Sequence, residues 1–374
     1  MRRLTALLLI LSAFFTARID ALAMADSADC ACIIDALTGE VVFSKNIGKR
    51  HPMASTTKIM TAIIALENSS LDDIVTVSAN AANVEGSAMY VEDGMQIYMR
   101  DLLYGLMLSS GNDAAVAIAE HVAGSVDAFV DMMNLKAQEI GAENTNFTNP
   151  NGLPDDAHFT TAGNLAFIAR YAMKNPEFRE IVGTYFYEAR PLNAETVFQF
   201  YNHNKLLEWY EGATGVKTGY TDAAGRCLVS SAIRNNMEFI AVTLGDNEDW
   251  TDHAEMLDYA FASHYPKKVI ENGMTVKVAR VDGKEYNMIA GDDFIVPFKE
   301  NGRCEVELVT HVASDLRTPI NAGEKIGYLE IRSGGEEIGD VDIVSEQEIT
   351  GVSAMRLRSS FISCFMRVVK RILV

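Results

Sequence analysis

Met53 to Ala62 reads "MASTTKIMTA". Its small residues, and the apolar run that continues through Ile63 and Ile64, predict the start of a buried helix, and one residue breaks the pattern. Lys58 stands three positions after Ser55, with no carboxylate near it in sequence until Glu67. On a helix that spacing puts both side chains on one face, and in the first turn they feel the positive end of the helix dipole. A serine hydroxyl is a useful nucleophile only when a base takes its proton, and a lysine can be that base only when neutral. Burial beside Ile59, Met60, Ile63 and Ile64, together with a nearby positive potential, pushes a lysine toward that form. The competing reading is a lysine that snorkels to the surface along its own stem. By residue frequencies Ser-x-x-Lys arises by chance about once in a chain of this length, so the reading needs support from elsewhere.

Two further patterns supply it. Ser110-Gly111-Asn112 falls at a break inside the helical stretch "MRDLLYGLMLSSGNDAAVAIAEHVAG", where a hydroxyl and an amide can point into a cleft. Ser78-Ala79-Asn80 has the same form, so this triplet is weak alone. Lys217-Thr218-Gly219, in "GVKTGYTDAAGRCLVSS", opens a predicted strand, where glycine lets a ligand backbone approach closely. Ser-x-x-Lys, then Ser-x-Asn, then Lys-Thr-Gly, in that order, is the arrangement of penicillin-binding proteins and serine β-lactamases.

Longer stretches carry the likeness further: "IIDALTGEVVFSKN", "RHPMASTTKIMTA", "EGSAMYVEDGMQ", "LMLSSGNDAAVAIAEHVAGS", "MNLKAQEIGAENTNFTNPNGL" and "TGVKTGYTDAAGRCLVSSA". The chain resembles the low-molecular-mass penicillin-binding proteins that are serine D-alanyl-D-alanine carboxypeptidases, closely over residues 28–263. The resemblance implies an α/β (α+β) transpeptidase fold of the penicillin-binding-protein and β-lactamase kind, an antiparallel sheet covered by helices. It implies removal of the terminal D-alanine from peptidoglycan stem pentapeptides, acylation by β-lactams, and a part in cell-wall maturation and crosslink control. Ser55 would be the nucleophile, Lys58 its general base, and Ser110 a proton relay to the leaving D-alanine. Asn112 would hold the substrate amide. Lys217 and Thr218 would bind the terminal carboxylate, with Gly219 beside them, and the backbone N–H groups of Ser55 and Tyr220 would form the oxyanion hole. Ser110 takes the motif position in preference to Ser78. No metal or organic cofactor is implied, and none of the seven histidines, His51 included, has a role in the pattern. Some relatives place a basic residue after the strand ending near Gly245; here that stretch is "DNEDW", which leaves Lys217 and Thr218 as carboxylate anchors.

Other readings share these residues. A class A β-lactamase typically has Asp in the middle triplet and an activating Glu on a loop; Gly111 and the loop "NPNGLPDD" provide neither. A D,D-endopeptidase would use the same groups, and so would a slowly deacylating β-lactam or cell-wall sensor. Turnover distinguishes the sensor.

The flanks complete the organisation. The formal net charge is −19, which argues against nucleic acid as partner. Arg2 and Arg3 precede "LTALLLILSAFF" and a small-residue end, so residues 1–23 read as a cleaved secretory signal and the protein as exported. Five scattered cysteines make no disulfide framework. A catalytic domain is expected over 26–265. After Tyr265-Pro266 the pattern turns to period two, which predicts a small all-β domain over 268–348. Residues 352–374 hold five basic residues and no acidic one. Wound as a helix they separate Leu357, Phe361, Cys364, Phe365, Val368, Val369 and Ile372 from Arg356, Arg367, Lys370 and Arg371, with Arg358 the exception. That is the pattern of a basic amphipathic helix lying on an anionic membrane surface, and it places the protein on the outer face of the cytoplasmic membrane. The competing reading is a terminal helix packed on the protein itself.

Overall fold

The computed structural model describes residues 24–281, 284–299, 305–312, 318–350 and 364–367. The chain enters with the hairpin β1 (Ala28–Asp35) and β2 (Val41–Lys45). Two short ribbons sit among the helices, β3 (Ile74–Thr76) with β4 (Gln96–Tyr98), and β5 (Phe186–Ala189) with β6 (Phe198–Tyr201). The strands β7 (Ala213–Thr221), β8 (Gly225–Arg234) and β9 (Met237–Asp246) return to the first hairpin, and one sheet forms in the order β2-β1-β9-β8-β7. The expected sheet covered by helices is present, and it is assembled from strands at the two ends of the domain. Asn235 and Asn236, both at positive φ, make the tight β8–β9 turn.

Between the hairpins lie α1 (Lys58–Asn68), α2 (Ala79–Ala82), α3 (Met99–Leu108), α4 (Asn112–Ala123), α5 (Val126–Ile140), α6 (Ala162–Met173), α7 (Pro176–Gly183) and α8 (Leu206–Trp209), and α9 (Asp249–Ser263) follows β9. Their ends follow local chemistry. Ser125, Thr161 and Asn175 accept N-cap hydrogen bonds, and Gly141 closes α5 in the left-handed conformation. α1 is unlike the others, since Lys58 through Ala65 are buried without interruption. It has no solvent face in its first two turns, and it packs against α3, α4, α5 and α6. A lysine at its first position therefore begins inside the protein. Cys30, Cys32 and Cys227 are free and buried, as suits small apolar fillers of the sheet.

A second unit comprises 35–40, 233–238 and 261–374. It contains β10 (His264–Ile270), β11 (Thr275–Val281), β12 (Lys284–Ala290), β13 (Phe294–Lys299), β14 (Glu305–Val312), β15 (Lys325–Ser333), β16 (Glu336–Ser345) and β17 (Cys364–Arg367). Six of these form the sheet β11-β12-β16-β15-β14-β17, and β10 pairs with β13. Ile270, Met288, Val296, Ile331 and Ile343 fill its core, as the period-two pattern anticipates. Residues 1–23, read above as a secretory signal, lie outside the described residues, as does most of 352–374. Within that tail the expected helix is corrected at four residues: Cys364–Arg367 form a strand antiparallel to β14. The edge of β14 offers unpaired backbone groups, and an extended segment satisfies them where a helix could not.

Candidate active site

Ser55 lies in a single 3-10 turn, Ala54–Thr57, ahead of α1 rather than inside it. Three buried threonines brace this region, two within the turn and one from the first turns of α1 to the loop at Pro150. Thr56 Oγ1 donates to the Met53 carbonyl at 2.6 Å, Thr57 Oγ1 to the Ala54 carbonyl at 2.8 Å, and Thr61 Oγ1 to the Pro150 carbonyl at 2.5 Å. With its proton so engaged, the Thr57 oxygen accepts from His158 Nε2 at 2.7 Å, and the Thr148 N–H donates to Nδ1 of the same ring at 3.0 Å. Burial holds His158 neutral, its pKa lowered to about 4, which is the form these contacts require. Ala54 is at φ +47 and Ser110 at φ +61, conformations that cost a residue with a Cβ on the order of 1 kcal/mol each.

Lys58 is fully buried. Its Nζ lies 2.9 Å from Ser55 Oγ, 2.7 Å from Asn112 Oδ1 and 2.7 Å from the Asn151 carbonyl oxygen. The Asn112 amide is oriented by its other end, since Nδ2 donates to the Glu85 carbonyl at 2.7 Å. Two of the three neighbours of Nζ can therefore only accept. A neutral amine has two N–H groups, one for each, and its lone pair is left facing the Ser55 hydroxyl. The electrostatics agree. Burial lowers the Lys58 pKa well below its ordinary value and the charge of Lys217 lowers it further, against a smaller opposing pull from Asp113. Asp113 does not pair with the lysine. It accepts backbone N–H groups of Met89, Tyr90, Val91 and Ala114 at 2.7 to 3.2 Å, and so fastens the loop before β4 to the start of α4.

Ser110 and Asn112 flank the junction of α3 and α4 and are both buried. The competing triplet is elsewhere and otherwise employed: Ser78 caps α2 by accepting from the Ala81 N–H, and donates to Glu120. Lys217, Thr218, Gly219 and Tyr220 lie in the second half of β7. Lys217 is buried, donates to the Thr218 carbonyl at 2.9 Å, and has its pKa lowered by burial to about 7. Gly219 faces the Ser55 turn so closely that a Cβ there would stand 2.9 Å from the Ser55 nitrogen and 3.1 Å from that of Thr56. Gly152 makes a second such approach, where a Cβ would fall 2.0 Å from the Ala54 carbonyl oxygen. The absence of side chains at these two positions lets a strand edge and a loop close on the turn that carries Ser55.

The structure thus gathers Ser55, Lys58, Ser110, Asn112 and the Lys217–Tyr220 segment into one place. A cleft of about 540 Å³ opens over Ser55, Ser110, Thr218, Gly219 and Tyr220. It is lined in addition by Ser87, His203, Arg226, Asp249 and Trp250. Sequence reading had given no role to these five, to Asn151 or to Asp113. Asn151 and Asp113 act on backbone groups or through a backbone carbonyl, which leaves no residue-type pattern. His203, like the other histidines, has no role in the sequence pattern, and the structure puts it on the cleft wall.

A sequence profile described as D-alanyl-D-alanine carboxypeptidase matches residues 18–248, and one described as penicillin-binding protein 5, C-terminal domain, matches residues 265–350. The D-alanyl-D-alanine carboxypeptidase DacF of Bacillus subtilis is 32% identical over 338 residues, 87% of each chain. A D-alanyl-D-alanine carboxypeptidase of Streptomyces sp. strain K15 is 35% identical over 244 residues, 60% of this chain and 84% of that one. Among solved structures, the D-alanyl-D-alanine carboxypeptidase DacD of Francisella tularensis superposes with a TM-score of 0.62 at 28% identity, over 87% of this chain and 94% of that one.

Two outcomes follow from the packing. Gly219→Ala should slow covalent labelling of Ser55 by a penicillin far more than it lowers the thermal midpoint, because its Cβ meets the nucleophile's own backbone. Lys217→Met should raise the thermal midpoint by several degrees while impairing activity. The unfolded chain keeps the Lys217 proton up to its ordinary 10.5 and the folded chain only up to about 7, so wild-type stability from this residue grows as pH rises through that window. The gain from Lys217→Met is therefore greatest at and below pH 7 and shrinks toward pH 10 in paired melting curves.

Proposed function

The chain belongs to the D-alanyl-D-alanine carboxypeptidase family, and from that premise we propose that it removes the terminal D-alanine of peptidoglycan stem pentapeptides through an acyl-enzyme on Ser55. The observation that carries this reading is the nitrogen of a buried lysine, 2.9 Å from a serine oxygen, with two acceptor-only groups as its other neighbours. As a serine-type hydrolase it needs a base for that serine, and Lys58 would take the Ser55 proton as Oγ attacks the carbonyl of the penultimate residue. A tetrahedral intermediate places negative charge on that carbonyl oxygen. The N–H groups of Ser55 and Tyr220 would receive it, an arrangement that the close approach of Gly219 favours and that can contribute several kcal/mol.

Ser110 would hand a proton to the leaving D-alanine nitrogen, from the α3–α4 junction on the wall of the cleft that holds Ser55. Asn112 has one amide hydrogen committed to Glu85; the second would meet the substrate carbonyl upstream of the scissile bond. Thr218 and Lys217 would face the terminal carboxylate. Water then attacks the acyl-enzyme, with Lys58 again as base, and frees the shortened peptide. A β-lactam, whose ring presents the same carbonyl and carboxylate, would acylate Ser55 by the same route.

We place this chemistry outside the cytoplasm, on the strength of the charged, apolar and small-residue order of residues 1–23. The basic tail 352–374 would draw the protein to an anionic membrane surface, each cation near such a surface being worth about 1 kcal/mol.

A peptide ending in D-Ala-D-Ala should release D-alanine when incubated with the protein, and a labelled penicillin should become attached at Ser55. Ser55→Ala should abolish both, and Lys58→Ala should lower acylation by ~10²–10⁴-fold. The acylation rate should fall as pH falls, because Lys58 acts only while unprotonated. Penicillin hydrolysis without D-alanine release would overturn the reading. For the tail, removing 352–374 should turn a liposome-bound protein into an unbound one; full-length protein that ignores anionic liposomes would refute the membrane role.

A further inference from the structure

A carboxypeptidase must recognise a free carboxylate, and the motif residues serve that need poorly. Lys217 is enclosed, its ammonium donates to the Thr218 carbonyl, and burial lowers its pKa to about 7. The stretch after β9, where a second cation would be expected, reads Asp246-Asn247-Glu248-Asp249. The cleft nevertheless contains a guanidinium. Arg226 stands directly opposite Tyr220 in the β7–β8 ladder. Opposed residues share a sheet face, and so do residues two apart along a strand. Arg226 therefore lies on the same face as Tyr220 and Thr218, on the wall of the cleft that holds Ser55.

Its surroundings are those of an aimed group rather than a loose surface chain. Arg226 Nη2 donates to Asp249 Oδ1 at 2.7 Å. The Asp249 side chain is only 5% exposed, whereas that of Arg226 is 42% exposed. Arg226 Nε is buried with no hydrogen-bond partner, and the Trp250 ring lies 6.0 Å from the guanidinium carbon. A guanidinium has five N–H donors in a fixed fork and keeps its charge at any pH of interest. Asp249 engages one edge and leaves donors for another carboxylate. The acidic stretch that looked like the wrong charge for this site supplies the clamp for a cation carried by the neighbouring strand.

We propose that Arg226 is the residue that selects a free carboxylate at the substrate's C-terminus, with Asp249 as the positioning residue that aims it. The proposal rests on the carboxypeptidase reading and adds the group on which specificity depends. Lys217 then serves mainly by its field on Lys58, and Thr218 by its hydroxyl.

The test compares full-length wild type, Arg226→Ala, Arg226→Lys and Asp249→Asn on two probe pairs. One pair is an N-acylated peptide ending in D-Ala-D-Ala and the same peptide capped as its C-terminal amide. The other is benzylpenicillin and its methyl ester, read as acylation of Ser55. Arg226→Ala should lower kcat/KM on the free-acid peptide by ~100-fold while changing the amide by less than about 3-fold. The acid and the ester of penicillin should divide in the same way. Arg226→Lys should recover part of the loss, and Asp249→Asn should raise KM on the acid more than it lowers kcat. An equal fall on capped and uncapped probes, or no fall on either, would overturn the proposal. Failure of wild type to release D-alanine would sink the carboxypeptidase reading alone, since the penicillin pair still decides on Arg226.

Discussion

An unprotonated amine in a closed, nearly dry space is the constraint on which the rest of this site depends. A lysine ordinarily holds its proton, and here burial and the charge of a second lysine lower its pKa well below the ordinary value. Desolvation alone would leave a polar amine without hydrogen-bond partners, which is costly. Asn112 Oδ1 and the Asn151 carbonyl meet that need, and both are acceptors that suit the neutral form. Each in turn is fixed from outside: Asn112 by the Glu85 carbonyl, and Asn151 by a loop packed onto Ala54. A carboxylate in either place would hold the proton on Lys58. Asp113 is near enough to be felt, but backbone N–H groups fill its oxygens, so its charge stays diffuse and the base stays neutral.

The same economy of space explains why glycine recurs around the nucleophile. The Ser55 N–H is useful only if nothing covers it and if the strand edge is near enough to share an oxygen with it. Gly219 and Gly152 permit this from opposite chain segments, and Ala54 and Ser110 accept left-handed backbone to complete it. Strain at these two residues is maintained by the buried threonine contacts and by the core packing of α1 and α4.

The parts of the molecule legible in the sequence are those where a residue type is chemically irreplaceable. Ser55, Lys58, Ser110, Asn112 and Lys217-Thr218-Gly219 belong to that class, and their order pointed to the fold. The alternation after Tyr265 exposed the second unit because a sheet with one buried face cannot be written otherwise. What stayed hidden acts through position. Asn151 contributes a carbonyl that any residue has. Arg226 and Asp249 are 23 positions apart, on a strand and on the helix after the next strand, and only the register of β7 on β8 reveals what they face. The terminal segment 364–367 misleads for a related reason. Helical amphipathicity is read without knowing that a sheet edge is available, and the edge of β14 gives those residues a partner that the pattern cannot show.

Three cations around one cleft would repel one another if all were charged, and the chemistry of each side chain settles which yields. An ammonium gives up its proton more readily when desolvated, and Lys58, fully buried and within the field of the Lys217 charge, is pushed toward the neutral form. A guanidinium keeps its proton under any such pressure, and the arginine is the member left partly in water and given a carboxylate partner. Exchanging the types would fail both ways. An arginine at position 58 has no lone pair to offer a hydroxyl, and a lysine at position 226 would lose the second edge that reaches past Asp249. The division between lysine inside and arginine at the rim therefore follows from the demand that one cleft hold both a base and an anchor for an anion.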